Sequence, residues 1–212
     1  ANGGEDEPDL MTRLAWLNST AGTDPDVVLS PFEPVTVEGS ALSVLGRRVE
    51  LGPSGLPTAI LSFFTPELTG FAEQPEPILA APLEFEVTAG GRAEAFRPGE
   101  LTVRTPARGR VEWTARSASD RFTLVVDGAL EYDGMLDYRI TLVADADVAV
   151  DDIALPVRYD PGAATWMLGL GRMGGRRPDA VDWKWAVENH QEGVWLGGIN
   201  RGLQYVLRDD NY

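Results

Sequence analysis

The sequence has no cysteine, one lysine and one histidine among its 212 residues. Without cysteine the chain cannot form disulfides, thiolate zinc sites or a cysteine nucleophile. The lone histidine, His190, is a general base or metal ligand only if partners are held beside it, and neither Glu188 nor Glu192 has a recognised ligand spacing. No apolar run approaches the roughly 18 to 20 residues that a membrane-spanning helix needs.

Basic residues are scarce relative to acidic ones. The chain has 18 lysines and arginines against 33 aspartates and glutamates, which gives a formal net charge of −15. Such a balance repels phosphate backbones and anionic lipid surfaces. We therefore expect no nucleic-acid partner and no membrane partner, and we attribute the acidity mainly to solubility.

Short apolar alternations separated by glycine and proline dominate the chain. Period-two patterns of this kind predict half-buried β-strands, and turns every 8 to 12 residues are typical of sandwiches and barrels. The clearest core-facing positions are Val111, Trp113, Ala115, Phe122, Leu124, Val126, Leu136, Tyr138, Ile140 and Leu142. We predict an all-β fold, a large antiparallel two-sheet β-sandwich, with a long glycine- and tryptophan-rich loop region near the C-terminus.

The domain organisation is predicted to be simple. Residues 1–11 are polar and acidic and predict a flexible arm, because they can bury little apolar surface. The segment LMTRLAWLNST at residues 10–20 fits a helical face or a strand, and the β character of the rest favours a strand. Residues 12–212 are expected to form a single domain. The chain begins ANGGEDEPDL, without an initiator methionine or the basic-then-apolar pattern of an export signal, so we expect an excised piece or a mature form.

A tight hairpin is predicted at Asp133 and Gly134, between Tyr132 and Met135. These two residue types tolerate the positive φ angles that a type I′ turn requires.

The stretch from Gly169 to Tyr205 gathers glycines, arginines and three of the six tryptophans. Its Gly169, Gly171 and Gly174 match the G-x-G-x-x-G pattern of dinucleotide-binding loops. However, Gly175-Arg176-Arg177-Pro178 does not open a helix, and no βαβ unit surrounds it. The pattern therefore indicates a glycine-shaped loop rather than a nucleotide site, and we expect no cofactor.

Three arginines and three tryptophans in this stretch are candidates for contact with a carbohydrate or another domain. Arg172, Arg176 and Arg177 could clamp a carboxylate or sulfate, or pair with internal acids. Trp183 and Trp185 would point the same way in an extended segment and, with Trp195, could stack on a sugar, fill a core or pack against another domain. His190 belongs to the same candidate set.

Hydrolytic machinery is not evident. Adjacent pairs such as Asp151-Asp152 face opposite sides of a strand, whereas glycosidases need two carboxyl groups about 5 to 10 Å apart across one bond. The chain also has no G-x-S-x-G elbow. We predict no catalytic residue and no metal site.

Four segments carry a family resemblance: RLAWLNST near the start, VLGRRVELGPSGLPTAILSFF from residue 44, GALEYDGMLDYRITL from residue 128, and the last 46 or so residues from Met167. From about residue 12 onward the chain resembles the non-catalytic N-terminal β-sandwich region of large bacterial proteins that contain a glycoside hydrolase domain, similar to glycoside hydrolase family 123. The resemblance implies that a (β/α)8 barrel follows the sandwich and carries an adjacent Asp-Glu pair that assists the substrate's N-acetyl group. No catalytic residue transfers to this chain.

The expected function is therefore that of a non-catalytic accessory domain in a secreted carbohydrate-active enzyme. Its expected partner is a downstream catalytic barrel of the same polypeptide, whose cleft it supports or shapes, and a glycan is a further candidate ligand. The alternative is an independent carbohydrate-binding module that uses exposed tryptophans. An extracellular or cell-envelope location follows from the resemblance alone.

Overall fold

The computed structural model describes residue 20, residues 23–184, residue 186 and residues 193–207. This part of the chain contains sixteen β-strands, one 3-10 turn at Pro161–Ala163 and no α-helix, so the predicted all-β fold is confirmed. The predicted arm at residues 1–11 and the ambiguous segment up to residue 19 lie outside the described residues.

Four antiparallel sheets make up the fold. The first sheet is a meander of five strands, β1 (Thr36–Glu38), β2 (Ala41–Val44), β3 (Arg47–Leu51), β4 (Pro57–Phe64) and β5 (Phe71–Pro77). The central sheet is a meander of four longer strands, β8 (Arg97–Ala107), β9 (Arg110–Ala118), β10 (Phe122–Glu131) and β11 (Leu136–Ala144). A small sheet joins β6 (Glu86–Ala89), β7 (Arg92–Ala93) and β12 (Asp152–Ala154) in the order β12-β6-β7.

The C-terminal sheet contains the glycine-rich stretch that the sequence singles out. Its strands are β13 (Trp166–Gly169), β14 (Arg172–Arg176), β15 (Gly193–Gly197) and β16 (Gly202–Val206), in the order β14-β13-β15-β16. The G-x-G-x-x-G pattern thus lies in a β-hairpin between β13 and β14, and no helix follows it. This geometry agrees with the prediction that the pattern is not a nucleotide-binding loop.

One face of the central sheet is covered by two other sheets, which gives the sandwich its layers. Leu42, Val49 and Ile60 of the first sheet share a buried cluster with Val111 and Trp113 of the central sheet. Toward the other end of the central strands, two further clusters involve the small sheet and the loops beside it: their buried members are Leu56, Leu124, Val126, Val87, Ala89 and Phe122. The predicted core positions on β9 and β10 are therefore correct, because alternate residues of these strands are buried.

Trp113 is the largest fully buried side chain in the described part of the fold. Its Nε1 donates a hydrogen bond of 2.8 Å to the carbonyl of Gly55, which ties the β3–β4 connection to the central sheet. Its ring lies directly against Gly128 of β10, where a Cβ atom would overlap the indole. Glycine is therefore required opposite Trp113, because any side chain there would displace the ring.

Tyr138 of β11 packs edge-on against Trp113, with ring centroids 5.6 Å apart. Its hydroxyl is buried and finds no hydrogen-bond partner among the described residues. Burial raises the pKa of Tyr138 well above its ordinary value, so the phenol stays neutral.

Replacement of Tyr138 by phenylalanine should leave the free energy of unfolding unchanged or raise it by up to about 1 kcal/mol, because an unsatisfied buried hydroxyl costs stability. Urea titration of both proteins measures this difference. Tyr132→Phe is the matched control, and a loss of more than about 1 kcal/mol in Tyr138→Phe alone would show that the hydroxyl has a stabilising partner.

The predicted hairpin between β10 and β11 is present, but its turn differs from type I′. Gly134 has a φ of +94°, whereas neither Tyr132 nor Asp133 is among the described residues with positive φ. The amide of Gly134 donates to the carbonyl of Glu131, and the amide of Met135 donates to the Asp133 carboxylate at 2.9 Å. This geometry fits a three-residue hairpin loop, in which a type I turn is followed by one residue with positive φ, here Gly134. Asp133 contributes as a hydrogen-bond acceptor and needs no positive φ.

Candidate functional site

The C-terminal sheet has an inner face that packs on the rest of the protein. Met167 of β13 is 5 % exposed, and Leu203 of β16 packs on the main core cluster. Tyr205, two residues beyond Leu203, lies on the same face near Tyr159. Burial and then the neighbouring Tyr205 raise the pKa of Tyr159 to about 12. These contacts fix which face of the sheet points outward.

The outer face of the C-terminal sheet is apolar and open. Strand pairing places Trp166 between Arg176 and Gly197, and Leu168 beside Trp195. Trp166 is 43 % exposed and Leu168 is 51 % exposed, although both are large apolar side chains on a regular strand. Val206 of β16 adds to this face with 40 % exposure. Adjacent exposed apolar side chains of this kind mark interaction surfaces more often than scattered ones do.

Trp195, a predicted site residue, lies in the middle of this face and is half-buried. Its ring lies over Gly197 of its own strand, and its Nε1 is 3.4 Å from where a Cβ of Gly202 would be. A side chain at Gly197 would overlap the indole, so the glycines of β15 and β16 let Trp195 lie flat along the sheet. Trp166 and Trp195 are diagonal cross-strand neighbours, a spacing of about 7 to 8 Å between Cα atoms that aromatic side chains can bridge.

The three predicted arginines separate into different environments. Arg177 donates from Nε to the carbonyl of Ala164 and from Nη1 to that of Pro178, both at 2.9 Å. Arg172 and Arg176 are exposed on β14, and neither has an acidic partner among the described residues. The alternative that these arginines pair with internal acids is therefore not supported for the part of the chain that the structure describes.

A register shift separates Arg172 from Arg176. Arg176 is opposite Trp166, whereas Arg172 is opposite Gly169, and the pairing changes between these positions. Because directly paired residues share a face and neighbours along a strand alternate, Arg176 lies on the outer face with Trp166. Arg172 lies four residues from Arg176, about 13 Å along an extended strand and across the register shift, so the two arginines do not form one clamp.

The remaining predicted residues do not join this surface in the described structure. Trp183 is half-buried in the segment after β14, which forms no strand at that position. Trp185 and His190 lie outside the described residues, so the predicted pairing of Trp183 with Trp185 stays a prediction.

A polar junction joins the C-terminal sheet to the first sheet. We use the name junction for Ser62, Glu76, Asp160, Asn200 and Arg201. Arg201 contacts the carboxylates of both Glu76 and Asp160, the latter at 2.9 Å. Ser62 donates to the carbonyl of Asn200 at 2.8 Å, and the Asn200 amide donates to Glu76 at 2.8 Å. These bonds hold the β15–β16 turn against β4 and β5.

The junction also sets the ionisation of one of its acids. The hydrogen bond from Asn200, followed by that from Arg201, lowers the pKa of Glu76 below its ordinary value of 4.5. The side chain of Arg201 is 12 % exposed, while that of Glu76 is 48 % exposed. The carboxylate is thus anchored at the surface by a largely buried guanidinium.

Sequence reasoning missed Trp166 and Arg201. The alternation of Trp166, Met167 and Leu168 is a strand pattern that could have drawn attention to Trp166, but it does not show which face is open. Arg201 is 41 residues from Asp160 in sequence, and Asn200 is 124 residues from Glu76. No local pattern links residues at such separations.

A second polar surface lies on the uncovered face of the central sheet. A shallow cavity of about 290 Å³ there is bordered by charged side chains of β8, β9, β10 and β11. Arg110 bonds to Glu112 at 2.9 Å and to Glu131 at 2.6 Å, and Thr114 bonds to Asp127 at 2.7 Å. These groups satisfy one another, as expected for a solvated sheet face.

No group of three or more histidine, cysteine or acidic side chains is placed to hold a metal ion in the part of the chain that the structure describes. No helix among the same residues is long and apolar enough to cross a membrane.

The fold and the outer face together define a β-sandwich domain that presents an aromatic sheet surface. Residues 35–212 match the family model described as "Glycoside hydrolase 123, third domain". Because this match covers most of the chain, the chain belongs to that family and is a glycoside hydrolase-associated domain, which confirms the resemblance seen in the sequence. Neither the curated proteins nor the solved structures include a match to it.

Proposed function

We propose that this chain is a non-catalytic accessory domain of a secreted glycoside hydrolase-like protein and that it contacts the catalytic barrel of the same polypeptide. In this role the outer face of the C-terminal sheet borders and shapes the substrate cleft. The observation that carries the proposal is the exposed apolar row on that face, with Trp166, Leu168 and Val206 each at least 40 % exposed.

The chemistry of this face suits contact with another domain. Interfaces between domains combine an apolar, aromatic centre with a polar rim. Here Leu168 and Trp195 form the centre, and the exposed side chains of Arg176 and Gln204 lie on the strands at either edge. The family description numbers this domain third. The contact proposed here is possible whether the barrel precedes or follows the sandwich in the polypeptide.

The arrangement of acids supports a non-catalytic role. Two pairs of carboxylates in the described structure share an arginine: Glu76 and Asp160 both contact Arg201, while Glu112 and Glu131 both contact Arg110. A hydrolytic pair must instead leave room between its carboxyl groups for the sugar and water.

Binding between this chain and the separately produced catalytic barrel, measured by calorimetry, tests the proposal. Leu168→Glu should weaken binding at least tenfold, since a charge would be buried without a partner at the centre of the contact. Val143→Glu is the matched control because Val143 is 49 % exposed on β11 of the central sheet. Equal effects of the two variants, or no binding by the wild type, would contradict the proposed docking face. Hydrolysis of aryl hexosaminides by the isolated chain would contradict the non-catalytic role.

A second candidate function is an independent carbohydrate-binding module. The observation that favours it is the placement of Trp166 and Trp195 as diagonal neighbours on an open sheet face, since pairs of indoles can stack on sugar rings. A glycan array with the wild type and Trp166→Ala discriminates the two functions. Binding that is lost in the variant favours the module, and binding to the barrel alone favours the accessory domain.

A further inference from the structure

We propose that Trp166 and Arg176 form a subsite for a pyranose sugar that carries a carboxylate or a sulfate group. This inference rests on the proposed function, because it assumes that the outer face of the C-terminal sheet meets a saccharide, either in a cleft or directly. It adds the charge class of that saccharide, which neither the fold nor the family match supplies.

The two side chains pair across neighbouring strands. Arg176 is directly opposite Trp166 on the neighbouring strand, and both are exposed on the same face. Directly paired residues have Cβ atoms about 4.5 to 5.5 Å apart. That separation places an aromatic surface beside a planar guanidinium fork, within the span of one substituted sugar ring.

The surroundings of Arg176 differ from those of several other arginines in the fold. Many guanidinium groups in the described structure contact carboxylates: these are Arg97, Arg104, Arg110, Arg121, Arg158 and Arg201. Arg176, like Arg172, has no such partner there, although the chain carries a net charge of −15, and Arg176 differs from Arg172 in lying opposite an exposed tryptophan. A guanidinium without a carboxylate partner among the described residues is available to an anionic ligand, and guanidinium groups bind carboxylates and sulfates through two parallel hydrogen bonds.

Neutral hydrogen-bond donors lie around the pair. The indole Nε1 groups of Trp166 and Trp195 donate to no described residue, and the Gln204 side chain is exposed beside Trp195. Tryptophan Nε1 is a donor only, so these groups can bind sugar hydroxyls without a change in the protein. The face thus offers stacking, neutral donors and one cation.

The charge pattern argues against an extended polyanion as the ligand. The excess of acidic residues opposes long-range attraction of a highly charged chain. One anionic group, placed at Arg176 and held by stacking on Trp166, meets less of this repulsion than a uniform polyanion does. We therefore infer that the ligand is one sugar unit with a single anionic group, within a larger glycan.

Three oligosaccharides of four sugars each provide the test, with the full 212-residue chain in the calorimeter. Hyaluronan tetrasaccharide supplies the carboxylate, a 6-O-sulfated N-acetylglucosamine tetrasaccharide supplies the sulfate, and chitotetraose is the neutral reference. We expect one or both anionic probes to bind at least tenfold more tightly than chitotetraose. The stronger of the two identifies which anionic group the subsite prefers.

Two arginine variants locate the charge. Arg176→Gln should weaken binding of the preferred anionic probe about tenfold and leave chitotetraose unchanged, because a charge-assisted hydrogen bond is replaced by a neutral one. Arg172→Gln is the matched control, since it removes the same charge from the same strand about 13 Å from the Trp166 and Arg176 pair. Trp166→Ala should abolish binding of all three probes while circular dichroism shows an intact fold.

Equal binding of anionic and neutral probes overturns the charge selection and leaves a neutral sugar platform in place. Equal losses in Arg172→Gln and Arg176→Gln overturn the location and indicate general electrostatics. No binding of any probe overturns the subsite, whereas the docking of the barrel is judged separately by Leu168→Glu.

Discussion

Trp113→Ala is expected to lower the free energy of unfolding by about 4 kcal/mol, the largest effect among the substitutions considered. Trp113 is 2 % exposed, packs against Tyr138 and shares a cluster with residues of the first sheet. Its removal leaves a large cavity between the two layers. The surrounding strands are held by backbone hydrogen bonds to their neighbours, so they can relax only in part. The carbonyl of Gly55 also loses its indole donor.

Urea and thermal unfolding followed by circular dichroism measure this loss. Trp113→Phe separates packing from hydrogen bonding, since it retains an aromatic ring but leaves the Gly55 carbonyl unpaired at a cost of about 1 to 3 kcal/mol. Val143→Ala, on the exposed side of β11, is a control and should change the free energy of unfolding by no more than about 0.5 kcal/mol. A loss of about 1 kcal/mol or less in Trp113→Ala would contradict the central role of this side chain.

The sandwich core could be predicted from local patterns. Val111, Trp113 and Ala115 alternate with polar residues, and a period of two in a chain without long helices places them on one buried face. The structure confirms this inference because both covering sheets use the same face of the central strands. The hairpin at Gly134 was predictable as well, since glycine is the residue that accepts positive φ without strain. The turn type differs from the predicted one because the positive φ lies at Gly134 and not at Asp133, which accepts a hydrogen bond from the Met135 amide.

The candidate surface was predictable only in part. Composition drew attention to Trp195 and Arg176, but the open row on β13 depends on which face of the C-terminal sheet packs inward. That choice is made by Met167, Leu203 and the junction, and it follows from contacts between distant parts of the chain. The local alternation of Trp166 and Met167 is compatible with either face outward. A sequence pattern therefore identifies the strand, and tertiary packing decides which of its residues are exposed.

The junction explains how the outer face is held in place, and its central residue provides the second large prediction. Arg201→Met should lower the free energy of unfolding by about 2 kcal/mol. Loss of one partner from a fully buried ion pair costs about 3 to 5 kcal/mol, and the partial exposure of Glu76 reduces that figure. Methionine retains much of the apolar stem, so the change isolates the loss of the guanidinium that both Glu76 and Asp160 contact.

The pH dependence identifies the ion pair as the cause. The pKa of Glu76 is lowered in the folded protein, so its contribution to stability is present above the ordinary value of 4.5 and is lost as the pH falls through the folded pKa. The difference in the free energy of unfolding between wild type and Arg201→Met should therefore be largest near neutral pH and shrink below about pH 4.5. Urea titrations at pH 7, 5 and 3.5 measure this change.

Two controls decide whether the junction positions the outer face. Arg97→Met removes an arginine whose side chain is 67 % exposed and should cost less than about 1 kcal/mol at every pH. Arg201→Met should also weaken docking of the catalytic barrel and binding of the anionic probe, because the β15–β16 turn that supports Trp195 is no longer fixed to β4 and β5. A stability loss without any change in binding would limit Arg201 to a structural role. An equal loss at pH 3.5 and pH 7 would show that packing, rather than the pairing of Glu76 with Arg201, stabilises this contact between the sheets.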